Sequence, residues 1–232
     1  MIIISYCISI MNRLHQLKQT LRQNIDNSTD KSEFILNDYN SNDMLKEYIY
    51  ENFDKEIISG KLKYNYIDKI KYWHASICKN ITHMKANGKY VVNLDCDNFI
   101  GLHSDQLLLD TFEKFGDNII ISQTNNIMSS GNGGRITISK EKFIELGGYD
   151  ESFYPMGYQD YDLIERGKKY GLTYININKN NDAIRNSKSE SIKNIGIKMD
   201  YTKMNNINKL LSKVNIDNNN LRVNIFKGIS II

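Results

Sequence analysis

Tyr90-Val91-Val92-Asn93-Leu94-Asp95-Cys96-Asp97 runs a buried-strand pattern straight into a pair of carboxylates. Residues 89–94 read as a strand, and the two acids follow at its carboxyl end. In open α/β sheets, ligands bind at that end of the strands. Bare carboxylates there would repel a nucleotide diphosphate. A hard divalent cation, Mn²⁺ or Mg²⁺, resolves the conflict by sharing oxygen ligands with the phosphates. It also stabilises the diphosphate as a leaving group. Two acids around one residue also occur in plain solvated turns, so the flanking segments must decide.

Upstream, residues 2–10 form an unbroken apolar run, as in a strand covered on both faces. Leu14, Leu17, Leu21 and Ile25 then repeat at helical spacing. Residues 33–36 predict a second strand, ending in the turn-rich Asn37-Asp38-Tyr39-Asn40-Ser41-Asn42-Asp43. A helix over 44–53, a weaker strand over 62–67 and a helix over 74–86 complete the approach to residue 89. Downstream, a helix is expected over 104–115 and a strand over 118–122. This alternation predicts an α/β fold with a Rossmann-like, mostly parallel central sheet flanked by helices.

After Asn125 the pattern changes. Ser129 to Gly134 reads as a flexible loop. A short strand (135–139), a short helix (140–146) stopped by Gly147-Gly148, a helix (159–170) closed by Gly171 and a strand (174–177) follow. Beyond Asn178 a mobile loop, a helix over 199–214 and a tail are expected. The expected division is a main domain over residues 1–188 and a helical extension over 189–232. Within the main domain, residues 1–124 would bind the nucleotide and residues 125–188 would serve the acceptor and the catalysis.

Composition narrows the function classes. The 232 residues suffice for one well-cored domain. A net charge of +3, with scattered lysines, argues against a nucleic-acid groove. Cys7, Cys78 and Cys96 contain no CxxC pair, which suits reduced thiols and a cytoplasmic location. No apolar run reaches the ~18 residues a membrane span needs, so any membrane contact is expected to be peripheral.

Beside the carboxylate pair stand three segments that resemble family 2 glycosyltransferases of the GT-A fold. They are Met11-Asn12-Arg13 after the first strand, Asp38 with Asn40-Ser41-Asn42-Asp43 after the second, and Lys79-Asn80 before the acidic strand. A later stretch is more specific. It begins at Gly133-Gly134-Arg135, passes Gly147-Gly148-Tyr149-Asp150-Glu151 and continues through Tyr154-Pro155-Met156-Gly157-Tyr158-Gln159-Asp160-Tyr161-Asp162-Leu163. It is similar to the C-terminal motif of β-1,4-galactosyltransferase-like enzymes. The resemblance spans residues 2–188.

The resemblance implies inverting transfer from a nucleotide-diphosphate sugar, of the UDP class, to a glycan, lipid-linked or protein hydroxyl. It implies Asp97 as direct metal ligand, with Asp95 on the metal through water or on the ribose. Asp160 would be the general base, kept ionised by the helix that starts there. Asn12, Arg13, Asp38, Asn40, Lys79, Asn80 and Arg135 would hold the nucleotide and donor, and Gly133 and Gly134 would let the backbone approach the donor sugar. Tyr154, Met156, Tyr158 and Gln159 would line the acceptor side.

Two positions depart from the pattern. Gln159 replaces an acid, and Asn186, whose amide oxygen would join Asp95 and Asp97 on the metal, stands where a histidine ligand is usual. They motivate the alternative of a non-catalytic nucleotide-sugar or glycan-binding protein on the same fold. A nucleotidyltransferase fits less well, because Met11-Asn12-Arg13 is not a basic Gly-rich loop. The four histidines have no metal-ligand spacing, although His103 lies six residues past Asp97. Trp73 is expected in the core, and Cys96 lacks a histidine partner for nucleophilic work.

Overall fold

A strand covered on both faces needs apolar atoms at every position, and Ile4–Ile10 (β1) is buried throughout except at Ser9. Its even positions, Ile4, Tyr6, Ile8 and Ile10, meet Leu14, Leu17, Leu21 and Ile25 of the following helix in one core. Its odd positions, Ser5, Cys7 and Ser9, are small. A helix at Ala75–Met84 therefore packs closely there, Ser9 Oγ lying 2.7 Å from Thr82 Oγ1.

The computed structural model describes residues 1–124, 131, 133–177 and 182–224. After β1 come α1 (Leu14–Asp26), β2 (Ser32–Asp38), α2 (Leu45–Asn52), α3 (Asp54–Ile58) and β3 (Leu62–Tyr66). Then follow α4 (Ala75–Met84), β4 (Tyr90–Asn93), α5 (Ser104–Phe115), β5 (Ile119–Ser122), β6 (Ile136–Ser139) and α6 (Lys140–Glu145). The order ends with α7 (Gln159–Tyr170), β7 (Thr173–Asn176), α8 (Lys188–Ser191) and α9 (Tyr201–Asp217).

The sheet order is β3-β2-β1-β4-β6-β5-β7. Only β6 runs antiparallel to its neighbours; the other pairings are parallel. The carboxyl ends of β1, β2 and β4 thus share one edge. Because β6 is reversed, its entry at Gly133-Gly134-Arg135 lies on that same edge, beside Asp95. A second core on the opposite face joins Cys7, Ile35, Val91, Ile120 and Ile138 to Phe143, Leu146, Tyr149 and Leu163.

Two expected elements are redrawn. The second strand extends to Asp38, because β3 on one side accommodates its polar end. Asn65 Nδ2 donates to Asn37 Oδ1 at 3.0 Å, and Tyr64 hydroxyl donates to Asp38 Oδ2 at 2.7 Å. The expected helix 44–53 breaks at Phe53, whose ring is buried, and restarts as α3. Half of the loop expected over 129–134 (129, 130 and 132) falls outside the described residues, as do 178–181 and the tail beyond 224.

Candidate functional site

The turn after β4 is braced from below. Cys96 points into the core, and its carbonyl accepts from Thr20 Oγ1 at 2.7 Å. The Asn98 backbone N–H closes the turn onto the Asp95 carbonyl at 2.9 Å. Asn98 Nδ2 donates to Asp97 Oδ1 at 2.6 Å, and Arg135 donates to Asn98 Oδ1 at 2.8 Å. Arg135 is therefore a buried strut beneath the acidic turn and does not line the cleft. Burial pulls its pKa down to about 10, against the opposing pull of Asp95 and Asp97.

The two carboxylates crowd each other. Burial, then the negative charge of Asp95, raises the Asp97 pKa to about 6. A hard divalent cation relieves such crowding, and both donors are the oxygen type that Mn²⁺ and Mg²⁺ take. Among the described residues no three His, Cys, Asp or Glu side chains gather to hold a metal. Phosphate oxygens and water would have to supply the other positions. The donor set fits such a site. Asn186 stands beside Asp97, but its amide N–H donates to Asp97 while its oxygen accepts from Arg13, at 3.0 Å, and from Gln16. To ligate a cation, that oxygen must leave both donors.

Lys79 joins the acidic turn to the start of α7. Its ammonium lies 2.8 Å from Asp160 Oδ1 and 3.4 Å from Asp95 Oδ1, with the side chain 5% exposed. Burial alone would lower the lysine pKa, but the two carboxylates outweigh it and the net direction is up. Asp160 is pushed up by burial and by Asp95 and pulled down by Lys79, with a net rise. Gln159 Nε2 donates to Asp160 Oδ2 at 3.1 Å. Gly134 is packed into this cluster. A Cβ there would sit 2.7 Å from Asp95 Oδ2, 3.2 Å from Asp160 Oδ2 and 3.3 Å from Lys79 Nζ. No side chain fits without moving a charged group.

One turn along α4, His83 supports the Lys79 backbone. Its Nδ1–H donates to the Lys79 carbonyl at 2.7 Å, and its ring stacks on Phe143 at 4.7 Å. Burial lowers its pKa to about 3, far below the unfolded value of about 6.5. A depressed pKa contributes stability above the unfolded value, and that stability is lost as pH falls toward 3. The free energy of unfolding should therefore drop by roughly 1.4 kcal/mol per pH unit below about pH 6 from this group. In urea titrations at stepped pH, the gap between wild type and His83→Gln should shrink on acidification. A constant gap from pH 7 to 4 would contradict this.

These groups face a cleft of about 620 Å³. Of the residues singled out from sequence, Arg13, Lys79, Asp95, Asp97, Gly133, Gly134, Met156, Tyr158, Gln159, Asp160 and Asn186 line it. Several do not. Asn80 is buried, its side chain clamping Tyr149 N–H and C=O at 2.8 Å each. Asp38 is buried, holding Ser41 N–H and Tyr64 hydroxyl. Asn40 accepts from the Tyr66 hydroxyl, and Tyr154 lies outside the cleft. Asn12 opens instead onto an adjoining hollow of about 630 Å³, shared with Asn42, Asp43 and Asn194. There Asp43 Oδ2 accepts from Leu14 N–H at 2.8 Å, while its Oδ1 has no hydrogen-bond partner.

The structure adds residues that sequence reading does not assign to the site. Trp73 lines the cleft, its indole N–H directed at Met156 Sδ. Asn194, Tyr201 and Asn205 come from the segment expected to be an appendage. The signal for Trp73 is its place one residue before His74, which caps α4. His103, by contrast, is exposed at the start of α5 and away from the cleft.

A parallel sheet with one reversed strand, and an acidic turn at its carboxyl edge, is the GT-A fold. Many solved structures share it, and three are representative. They are TarS of S. aureus with UDP (TM-score 0.61, 10% identity, 77% of this chain and 58% of that one), a mannosyltransferase of Pyrobaculum calidifontis with GDP-Man and Mn²⁺ (0.60, 15%, 76% and 55%), and GalNAc-T7 with UDP, GalNAc and Mn²⁺ (0.63, 18%, 76% and 42%). The chain spans about half the length of these proteins. A family model described as "Glycosyltransferase like family 2" matches residues 115–227, which include Gly134 and Asp160. No curated protein sequence matches the chain. Among the described residues, no helix is long and apolar enough to cross a membrane.

Proposed function

We propose that this protein is a glycosyltransferase that moves a sugar, with inversion, from a nucleotide-diphosphate sugar of the UDP class to a hydroxyl acceptor, assisted by Mn²⁺ or Mg²⁺. One observation carries the reading: Asp95 after β4 and Asp160 at the start of α7 share Lys79 around the side-chain-free Gly134. The family-model match, and the nucleotides and Mn²⁺ bound by proteins of the same fold, support it.

Asp97, with Asp95, would hold the cation, which supplies charge stabilisation to the departing diphosphate. Arg13, Arg185 and Lys188 line the same cleft and offset phosphate charge. Asp43 lines the hollow beside Asn12 and is therefore better placed than the buried Asp38 to approach a nucleotide base. Asp160 takes the acceptor hydroxyl proton. Its raised pKa strengthens it as a base, and Lys79 and the α7 N-terminus keep it ionised. Trp73, Tyr158, Tyr161, Tyr201 and Asn205 surround the acceptor side. Aromatic faces and amides suit a sugar's C–H faces and hydroxyls, which favours a glycan acceptor.

Asn186 favours a second reading, because its amide nitrogen, not its oxygen, meets Asp97. A non-catalytic nucleotide-sugar binder would tolerate that arrangement. Release of nucleotide from a donor sugar by the pure protein would exclude it. The metal site has a separate test. A donor at a hundred times its Kd stabilises the fold by about 2.7 kcal/mol. Asp97→Ala should lose the Mn²⁺-dependent component of that thermal shift while melting normally without ligand. An unchanged Mn²⁺-dependent shift would sink the assignment.

A further inference from the structure

Helix α9 is packed the reverse of a surface helix. Apart from the fully buried Met204, its inner face is polar. Asn205, Asn208, Ser212 and Asn215 repeat at spacings of three and four, with Asn208 and Ser212 fully buried. Asn208 Nδ2 donates to the Gly157 carbonyl at 2.7 Å and the Tyr154 carbonyl at 3.1 Å, and Asn215 Nδ2 to Asp150 Oδ2 at 2.9 Å. The helix is therefore held by hydrogen bonds to the loop before α7.

Four of its aliphatic residues lie on the outer side, Ile207 half-buried and the others exposed. Ile207, Leu210, Leu211 and Val214 follow the i, i+3, i+4, i+7 pattern that normally marks a core stripe. Leu210 is 64% exposed, Val214 55% and Leu211 36%. Exposed lysines lie along and beside this stripe: Lys203, Lys209 and Lys213, with Lys198 just before the helix. Among the described residues none of them forms an ion pair. The nearby acids are Asp200, whose carboxylate caps the helix at Lys203 N–H, and Asp217 at the far end.

We propose that the outer face of α9 docks on an anionic lipid surface, its leucines and valine entering the interface and its lysines meeting the headgroups. An apolar stripe flanked by unpaired cations is what an interfacial helix presents to such a surface. A second copy is a poorer occupant. A two-fold contact brings each patch onto itself, and lysines would then face lysines with few carboxylates to pair them. The inner face of the same helix fixes residues 154–157. On the transferase reading above, docking brings the acceptor side of the cleft close to the lipid.

Sedimentation of the full chain with vesicles tests the docking without reference to chemistry in the cleft. Vesicles of phosphatidylcholine with phosphatidylserine should carry the protein down, and phosphatidylcholine alone should not. Leu210→Ser with Val214→Ser should weaken the partition at least ~10-fold. Lys209→Gln with Lys213→Gln should weaken it about 30-fold, and added salt should do the same. All four side chains are exposed, so both variants should melt as wild type does. If a double variant melts early, the other gives the reading. Equal binding to both vesicles, or full binding by both variants, overturns the proposal. So does self-association that Leu210→Ser with Val214→Ser abolishes, which would put a second copy on this face.

Discussion

Replacing Arg166 with leucine is expected to lower the free energy of unfolding by about 3–5 kcal/mol. Arg166 is fully buried on α7 and uses all three of its guanidinium nitrogens. Nε donates to Asp162 Oδ2 at 2.7 Å, one terminal nitrogen to the carbonyls of Leu146 (2.9 Å) and Leu221 (3.3 Å), and the other to Gly148 (2.7 Å). Asp162 is equally buried. Burial raises the Asp162 pKa and the Arg166 charge opposes that rise. Without Arg166 the carboxylate must take a proton or stay charged in a dry site, and three carbonyls each lose a donor.

The double variant Asp162→Leu with Arg166→Leu separates these costs. It removes both charges, so it should recover the ionic contribution and leave the loss at the three carbonyls. Urea unfolding with an unchanged m-value is the appropriate measurement. A loss under about 1 kcal/mol in the single variant would mean the network contributes little. The Leu146 and Gly148 carbonyls flank the turn that Asn80 clamps to α4, so this ion pair also fixes the helix that carries Lys79.

The half of the molecule built on apolar periodicity is legible in the sequence. Within the expected stretches 2–10 and 89–94, residues 4–10 and 90–93 form strands covered at every position but Ser9, and runs of that kind have few other readings. Strand order is not legible. Nothing in residues 136–139 says that β6 inserts between β4 and β5, yet that insertion brings Gly134 to Asp95. The acidic pair and Asp160 are readable as motifs. Their meeting at Lys79 is not, because the ion pair to Asp160 spans 81 positions.

Asn80 and Arg135 show the opposite failure. Polar residues inside a motif suggest contact with a ligand, but both are turned into the protein: Asn80 clamps Tyr149, and one terminal nitrogen of Arg135 donates to Asn98. Helix α9 is evident from its pattern, yet the pattern alone places it in an appendage. Hydrophobic spacing identifies the apolar face of a helix and not which face is inside, and here asparagines face inward.

Asp160→Asn should lower the turnover number by about 10²–10⁴ while leaving nucleotide affinity near that of wild type. Asparagine keeps the volume and the position next to Lys79 and Gln159, but its amide cannot take a proton from an acceptor hydroxyl. Lys79 stays buried and turns to Asp95, at 3.4 Å in the present structure, so some stability is lost but the fold is kept. The contrast with Asp97→Ala identifies the base. The Asp97 variant should lose Mn²⁺-dependent donor binding, whereas the Asp160 variant should still show the donor's thermal shift and fail at transfer. Steady-state transfer measured beside donor binding separates the cases. A purely positioning Asp160 would show as a raised donor KM with little change in turnover. Turnover within a few-fold of wild type would remove Asp160 as the base. The acceptor proton would then have to go elsewhere, and among the cleft's described carboxylates Asp95 and Asp97 are already assigned to the cation.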